Sequence, residues 1–293
     1  MSSWTPDWRI LIDSVEYTSV TLANLVITSG RRDIYSQPSA GYCNVELINT
    51  DGSTIDIDIN DGLTIEVKNS VGTFVPIFGG SITDIEVSIR GAGNIGISQS
   101  IKLIALGALA KLPRTLTDGV LNDDFDGDQI YTILNSVLAG AWNDVPAAET
   151  WSAYNSTTTW ANAESEGIGE IDRPGNYELE NRGSERIDVY QLIQLLATSG
   201  LGYIYEDSSG RIGYADSTHR AEYLAANGYV EVSANDALAA GIKTTMRSGD
   251  IRNSITLKYG NNSALEVNAT NTASIEQYGS AAQIITTTIK THS

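Results

Sequence analysis

In the first third of the chain, hydrophobic positions recur at every second residue. Residues 8–17 (Trp-Arg-Ile-Leu-Ile-Asp-Ser-Val-Glu-Tyr) and 22–28 are rich in β-branched side chains, and residues 41–49 form a third such run. Ile55, Ile57 and Ile59 alternate with Asp56, Asp58 and Asn60, and Leu63, Ile65 and Val67 alternate again after the turn signal Asp61-Gly62. Successive side chains of a strand point to opposite faces, so this rhythm gives each strand one dry and one wet face. Residues 74–78, then Ile82, Ile85, Val87 and Ile89, and then residues 97–106 extend it, with a glycine-rich turn over 91–96. The pattern predicts an antiparallel meander or Greek key over the first 110 residues. A small closed barrel is its most economical form, because closure removes exposed edges.

The period changes after Pro113. Asp126-Gly-Asp-Gln129 reads as a helix N-cap with a Gln three residues later, and Ile130, Ile133, Leu134, Val137 and Leu138 follow at helical spacing. Residues 140–183 are Ser, Thr, Ala, Asn, Gly and acids, with Trp142, Trp151 and Trp160 nine apart. Asp188-Val-Tyr-Gln191 repeats the cap pattern; the helix behind it turns Val189, Leu192, Ile193 and Leu196 inward and stops at Gly200. Tyr203-Ile-Tyr205, the turn Asp207-Ser-Ser-Gly210 and residues 211–214 predict a hairpin. Short Ala-rich helical turns follow at 220–227 and 234–240, and strands resume at 254–259, 264–269 and 284–290. The last sheet reads as unfinished without further chain or a partner. The expected fold is therefore mainly β with an α+β insertion. Residues 1–112 form an N-terminal antiparallel β-barrel. Residues 113–250 form a helical, α+β lobe carrying the acidic Trp-rich loop 140–183. Residues 251–293 supply strands of a second, partial β-barrel.

Composition narrows the functional classes. Of 293 residues 41% are apolar and 18% charged, a balance that folds rather than stays disordered. Lys+Arg is 18 and Asp+Glu is 36, giving a net charge of −18. A fold that grips nucleic acid or an anionic membrane surface needs cations, so both are disfavoured. Residues 115–172 hold eleven acids and no Lys or Arg. That stretch reads first as a solvated lobe, with a cation site or a polyanion-repelling surface as sharper alternatives. The single cysteine, Cys43, excludes an intramolecular disulfide and Cys-based zinc sites; beside Val45 and Leu47 it reads as core packing. No apolar run reaches a membrane span, and the start lacks the basic and apolar regions of a secretory signal. The expectation is a protein folded in a cytoplasm, or carried out of it inside a larger particle.

Several motifs imitate chemistry. Gly91-Ala-Gly93-Asn-Ile-Gly96 matches the dinucleotide fingerprint, but Ile97, Gln99, Ile101 and Leu103 alternate behind it, so the glycines turn one strand into the next. Asn122, Asp124, Asp126 and Gly127 imitate the start of a calcium loop, but Ile133 stands where its bidentate Glu belongs. Helix capping is the simpler reading; Asp124 and Asp126 stay weak metal candidates. Asp56, Asp58 and Asn60 are explained by strand alternation. No nucleophile motif is present, and His219, between Thr218 and Arg220, reads as a surface or satisfied histidine. No catalytic residue and no cofactor are assigned, and the chain is not expected to be an enzyme.

Five stretches, taken in order, resemble the tail hub (minor tail protein) family of tailed bacteriophages. They are Ile27-Thr-Ser-Gly-Arg31-Arg-Asp-Ile-Tyr35-Ser-Gln-Pro38-Ser-Ala-Gly41; Pro76-Ile-Phe78-Gly-Gly-Ser-Ile-Thr-Asp84-Ile; and Leu103-Ile-Ala-Leu-Gly-Ala-Leu-Ala-Lys-Leu112-Pro. The fourth is residues 193–214, and the fifth is Arg252-Asn253-Ser-Ile-Thr-Leu with Ala273-Ser274-Ile-Glu-Gln-Tyr278-Gly279. The resemblance spans most of residues 8–280. It implies a homotrimeric ring at the distal tail end, in the virion, assembled in the host cytoplasm. Two related β-barrels per subunit would let a three-fold tip meet a six-fold tube around a DNA channel. The implied partners are the distal tail protein, the C-terminus of the tape-measure protein, and tail fibre or receptor-binding proteins. The Trp-rich stretch 140–183 matches no family pattern.

Two other functions compete with this one. A receptor- or glycan-binding tail-tip module would use Trp142, Trp151 and Trp160 as stacking platforms, with the acids holding Ca²⁺. A carboxylate-dependent cell-wall hydrolase is the third.

Overall fold

The computed structural model describes residues 7–33, 35–91, 97–138, 168–229 and 248–290. Trp142, Trp151 and Trp160, most of the acidic loop, the helical turns expected at 234–240 and the tip of the 91–96 turn lie outside the described residues. Seven strands make the first sheet: β1 (Trp8–Ile12), β2 (Val15–Glu16), β3 (Val20–Gly30), β4 (Ser39–Asn49), β5 (Gly62–Lys68), β6 (Phe74–Gly91) and β7 (Ile97–Leu106). Their ladder order is β2-β1-β5-β6-β7-β4-β3, antiparallel throughout. The two-residue rhythm sets the faces: Cys43, Val45 and Leu47 of β4 are fully buried, while Asn44 and Glu46 point outward. Inward residues of β1 and β3 to β7 share one cluster drawn from this sheet and the residues between its strands. A flat sheet cannot cover its own face, so burial this complete requires the sheet to roll around that core.

The rolled sheet is not closed by a ladder. β2 and β3 end the strand order, and no backbone pair joins them among the described residues. The strand expected at Ile55–Ile59 lies near this seam without being a strand. Its alternation survives in part: Ile55 and Ile57 pack on the barrel core while Asp56 and Asp58 face water, but Ile59 is 50% exposed. Its fastenings to residues 17–19 are side-chain ones. Tyr17 Oη donates to the Asp56 carbonyl at 2.9 Å, and the Ser19 and Ser53 hydroxyls are 3.1 Å apart. Amphipathic alternation marks one face as dry, but a strand also needs a partner edge in register.

Beyond β7 a 3₁₀ turn (Ala108–Arg114) leads into the second lobe. Its elements are β8 (Leu116–Thr117), β9 (Asp124–Phe125), α1 (Asp126–Leu138), β10 (Ile168–Ile171), β11 (Glu178–Leu179), β12 (Ile187–Asp188), α2 (Val189–Ser199), β13 (Tyr203–Glu206), β14 (Ile212–Ala215) and α3 (His219–Asn227). β14 is the centre of a three-stranded sheet, parallel to β10 and antiparallel to β13. Helices α1 and α2 pack with one face of this sheet, joining Ile130, Leu134, Leu192 and Leu196 to Ile204, Ile212 and Tyr214 in one core. The cap of α2 is as the sequence predicts, with the Asp188 carboxylate accepting from the Gln191 N–H at 2.8 Å. The start of α1 lies where expected, but the capping box does not form. Asp126 is fully buried and accepts from the Tyr177 N–H (2.8 Å) and Tyr214 Oη (2.5 Å), while Gln129 Nε2 donates to the Asn122 and Glu180 carbonyls. A buried carboxylate must find donors, and here tertiary neighbours supply them.

The last sheet is β16-β15-β17, from β15 (Ser254–Tyr259), β16 (Leu265–Thr270) and β17 (Ala282–Thr286). β17 runs parallel to β15, which requires a crossover. Helix α4 (Thr272–Tyr278) provides it, capped by Asn271 accepting from the Ser274 N–H. The expected strand 284–290 is divided. Residues 282–286 belong to this sheet, whereas Ile289 enters the core of the second lobe and pairs with Leu179. Among the described residues no helix is long and apolar enough to cross a membrane.

Candidate functional site

The barrel and the second lobe interlock through the stretches that carry the family resemblance. Gln37 extends from the barrel and donates to the Gly202 carbonyl at 3.1 Å, while its Oε1 accepts from the Ile204 N–H at 3.1 Å. Tyr190 Oη of α2 donates to the Pro38 carbonyl at 2.9 Å. Glu206, at the end of β13, accepts from the Gly41 N–H (2.6 Å) and the Leu109 N–H (2.5 Å), so one carboxylate ties β4 and the 3₁₀ turn to the lobe. Burial raises its pKa, opposed by those two donors. The backbones meet where side chains are missing: a Cβ on Gly79 would lie 2.2 Å from the Ser209 carbonyl oxygen, and one on Gly107 would lie 2.1 Å from Glu206 Oε2. The fifth stretch works within the last sheet. Asn253 donates to the Gly279 carbonyl (2.8 Å) and accepts from the Ala281 N–H (2.7 Å), pinning the α4 crossover.

A cavity of about 620 Å³ opens on the face of the β10-β14-β13 sheet away from α1 and α2. Alternation along β13 sends Ile204 into the core and Tyr203 and Tyr205 into this cavity, their rings 6.0 Å apart. Gly213 of β14 has no side chain because the Tyr205 ring lies over it; a Cβ there would meet that ring at 2.5 Å. Glu170 comes from β10, and His219 and Tyr223 from α3. His219 is oriented from behind: its Nδ1 lies 2.7 Å from Asp172 Oδ2, and the same oxygen accepts from the Asp216 N–H. The other oxygen of Asp172 is buried without a hydrogen-bond partner. Burial raises the Asp172 pKa, with His219 opposing, and raises that of Tyr205 strongly, with Glu170 adding to it.

His219 is thus a satisfied histidine, one of the two readings its sequence context allowed. The cavity itself escaped the sequence reading because it is assembled from β10, β13 and α3, far apart in the chain. The Tyr-x-Tyr alternation of β13 was its one local signal. Asp124 lies exposed on β9, its carboxylate accepting from the Phe125 N–H, whereas Asp126 is buried against Tyr214. Among the described residues no group of three His, Cys, Asp or Glu is placed to hold a metal ion. The glycine fingerprint connects two antiparallel neighbours, with Gly91 opposite Ile97, so no helix follows to receive a phosphate. Cys43 is fully buried, and burial pushes its thiol up to about 12.

No family model and no curated protein matches the chain. Solved structures do. A tail protein from Neisseria meningitidis MC58 superposes at TM-score 0.55 and 7% identity, over 98% of this chain and 73% of that one. The chain shares the fold of that tail protein. The 43 kDa tail protein of prophage MuSo2 from Shewanella oneidensis (TM-score 0.47, 13% identity, 95% of this chain and 71% of that one) is also similar. So is the prophage tail protein gp18 from Listeria monocytogenes EGD-e (0.47, 10%, 96% and 72%). At such identity the shared property is the fold. In this chain Gln37, Gly79, Gly107 and Glu206 lie at the contact between the barrel and the second lobe.

Proposed function

We propose that this chain is a structural subunit of a bacteriophage tail, and specifically of a trimeric hub at the distal end. Alongside the fold, the observation that carries the reading is an overhanging strand. Val267 and Leu265 of β16 are opposite Leu257 and Tyr259 of β15, hence on the same face. Leu257 and Tyr259 pack against the core of the second lobe, but Leu265 and Val267 remain 44% and 52% exposed. β16 is also an edge strand, with one row of backbone groups unpaired in the sheet. An apolar edge of this kind is what a sister subunit covers.

In this reading three copies present six similar β units around the axis and join a six-fold tube to a three-fold tip. The domain division at residues 112 and 250 then corresponds to barrel, lobe and second barrel-forming sheet. The partners are sister subunits, the distal tail protein, the end of the tape-measure protein, and fibre or receptor-binding proteins. The excess of acids suits a channel through which DNA passes without sticking. The role is structural rather than catalytic, at the tail tip of the virion.

Sedimentation velocity on the purified chain should show a trimer at micromolar concentration. Val267→Glu should give monomers with an unchanged circular dichroism spectrum, because it places a charge on an exposed site of the single subunit. A wild-type chain that stays monomeric at every concentration and with tail partners present would overturn the assignment.

A further inference from the structure

We infer that the Tyr-lined cavity on the second lobe binds a neutral carbohydrate, a short oligosaccharide built of pyranose rings. The volume, about 620 Å³, falls in the range of small-ligand sites, roughly 300–1,000 Å³. Its walls combine flat and hydrogen-bonding surfaces. Tyr203, Tyr205 and Tyr223 offer aromatic faces with hydroxyl tips, which suit the C–H face and rim hydroxyls of a sugar ring. Glu170 supplies an acceptor, and His219 presents a ring whose orientation is fixed by Asp172 behind it. Such preorganisation lowers the entropic cost of binding.

Charge selects among ligand classes. Glu170 and Asp207 are balanced by Arg211 and Arg220, two carboxylates against two guanidiniums, on a protein whose net charge is −18. Asp207 and Arg211 are already joined by bonds of 2.6 and 2.7 Å to one carboxylate oxygen. A locally balanced lining has no surplus for a polyanion or a cation. It matches a ligand rich in hydroxyls and free of charge. This site is separate from the barrel–lobe contact and from β16, so it stands or falls apart from the hub assignment.

The test is isothermal titration calorimetry and saturation-transfer NMR on the purified chain with cellotriose, maltotriose and tri-N-acetylchitotriose, each beside a sulfated counterpart. At least one neutral trisaccharide should bind saturably. Tyr223→Ala, on an exposed helix, should weaken it about tenfold or more without lowering the melting temperature. Glu170→Gln should weaken it as well; if that variant does not fold, Tyr223→Ala alone decides. No saturable binding of any neutral trisaccharide up to about 10 mM, binding indifferent to Tyr223→Ala, or tighter binding of a sulfated form would overturn the proposal.

Discussion

Asp126 shows how one buried carboxyl couples folding to pH. Burial raises its pKa from 3.8 to about 6, against the lowering effect of Tyr214 and the Tyr177 N–H. Between those values the folded chain holds a proton that the unfolded chain has released. Its contribution to stability is therefore fully present below pH 3.8 and is lost as pH rises through 6. The difference corresponds to about 3 kcal/mol. Asp172, also raised by burial, acts in the same direction. Asp126→Asn keeps an acceptor for the Tyr177 N–H and turns an amide N–H toward the Tyr214 oxygen. Urea midpoints measured from pH 4 to 7 should fall less in this variant than in the wild type. Equal slopes would mean that Asp126 is ionised in the fold throughout that range. The composition gave no hint of this site, because 36 acids look alike until burial separates one from the rest.

Among the elements, helix α2 was the most legible, whereas α4 was not read from the sequence at all. Asp188 caps α2 as its sequence predicts, and the buried stripe Val189, Leu192, Ile193, Leu196 is the one that helical spacing selects. The strands of the first barrel were legible for a similar reason, since period two is a local property. Pairing is not local, which is why Ile55–Ile59 has the rhythm of a strand and no ladder. The parallel partnership of β15 and β17 was likewise hidden, because it depends on α4 and on the Asn253 side chain that holds the crossover. Asn253 is 3% exposed, so truncating it leaves the Gly279 carbonyl and the Ala281 N–H without that partner. Asn253→Ala should cost about 1–3 kcal/mol. It should also speed limited proteolysis within residues 271–281 before the barrel is cut. Cleavage no faster than in the wild type would show that the clamp is dispensable.

At the scale of the molecule, the barrel and second lobe are joined by side-chain hydrogen bonds and by close backbone contact. Gly79 meets the 207–210 turn with no room for a methyl group, and the obstructing atoms are backbone. Gly79→Ala should destabilise the protein by about 1–3 kcal/mol, as overpacking does. It should also separate the unfolding of barrel and lobe into two calorimetric transitions. A single transition at the wild-type temperature would show that the contact yields easily. The same contact explains why the resembling stretches are scattered along the sequence: Gln37, Gly79, Gly107 and Glu206 are distant in the chain and adjacent in space.

The sequence by itself determined the periods, where α1 and α2 begin, and that the chain is β-rich and acidic, but not every dry side chain: Ile59, Val87 and Ile89 keep the apolar phase of the rhythm and are exposed. It determined these because each depends on neighbours within a few residues. Only the tertiary structure decided the seam at Ile55–Ile59, the division of the last strand between sheet and lobe, the raised pKa of Asp126 and the cavity of Tyr205 and His219. Each of these depends on which distant surface arrives opposite a residue, and no local pattern carries that information.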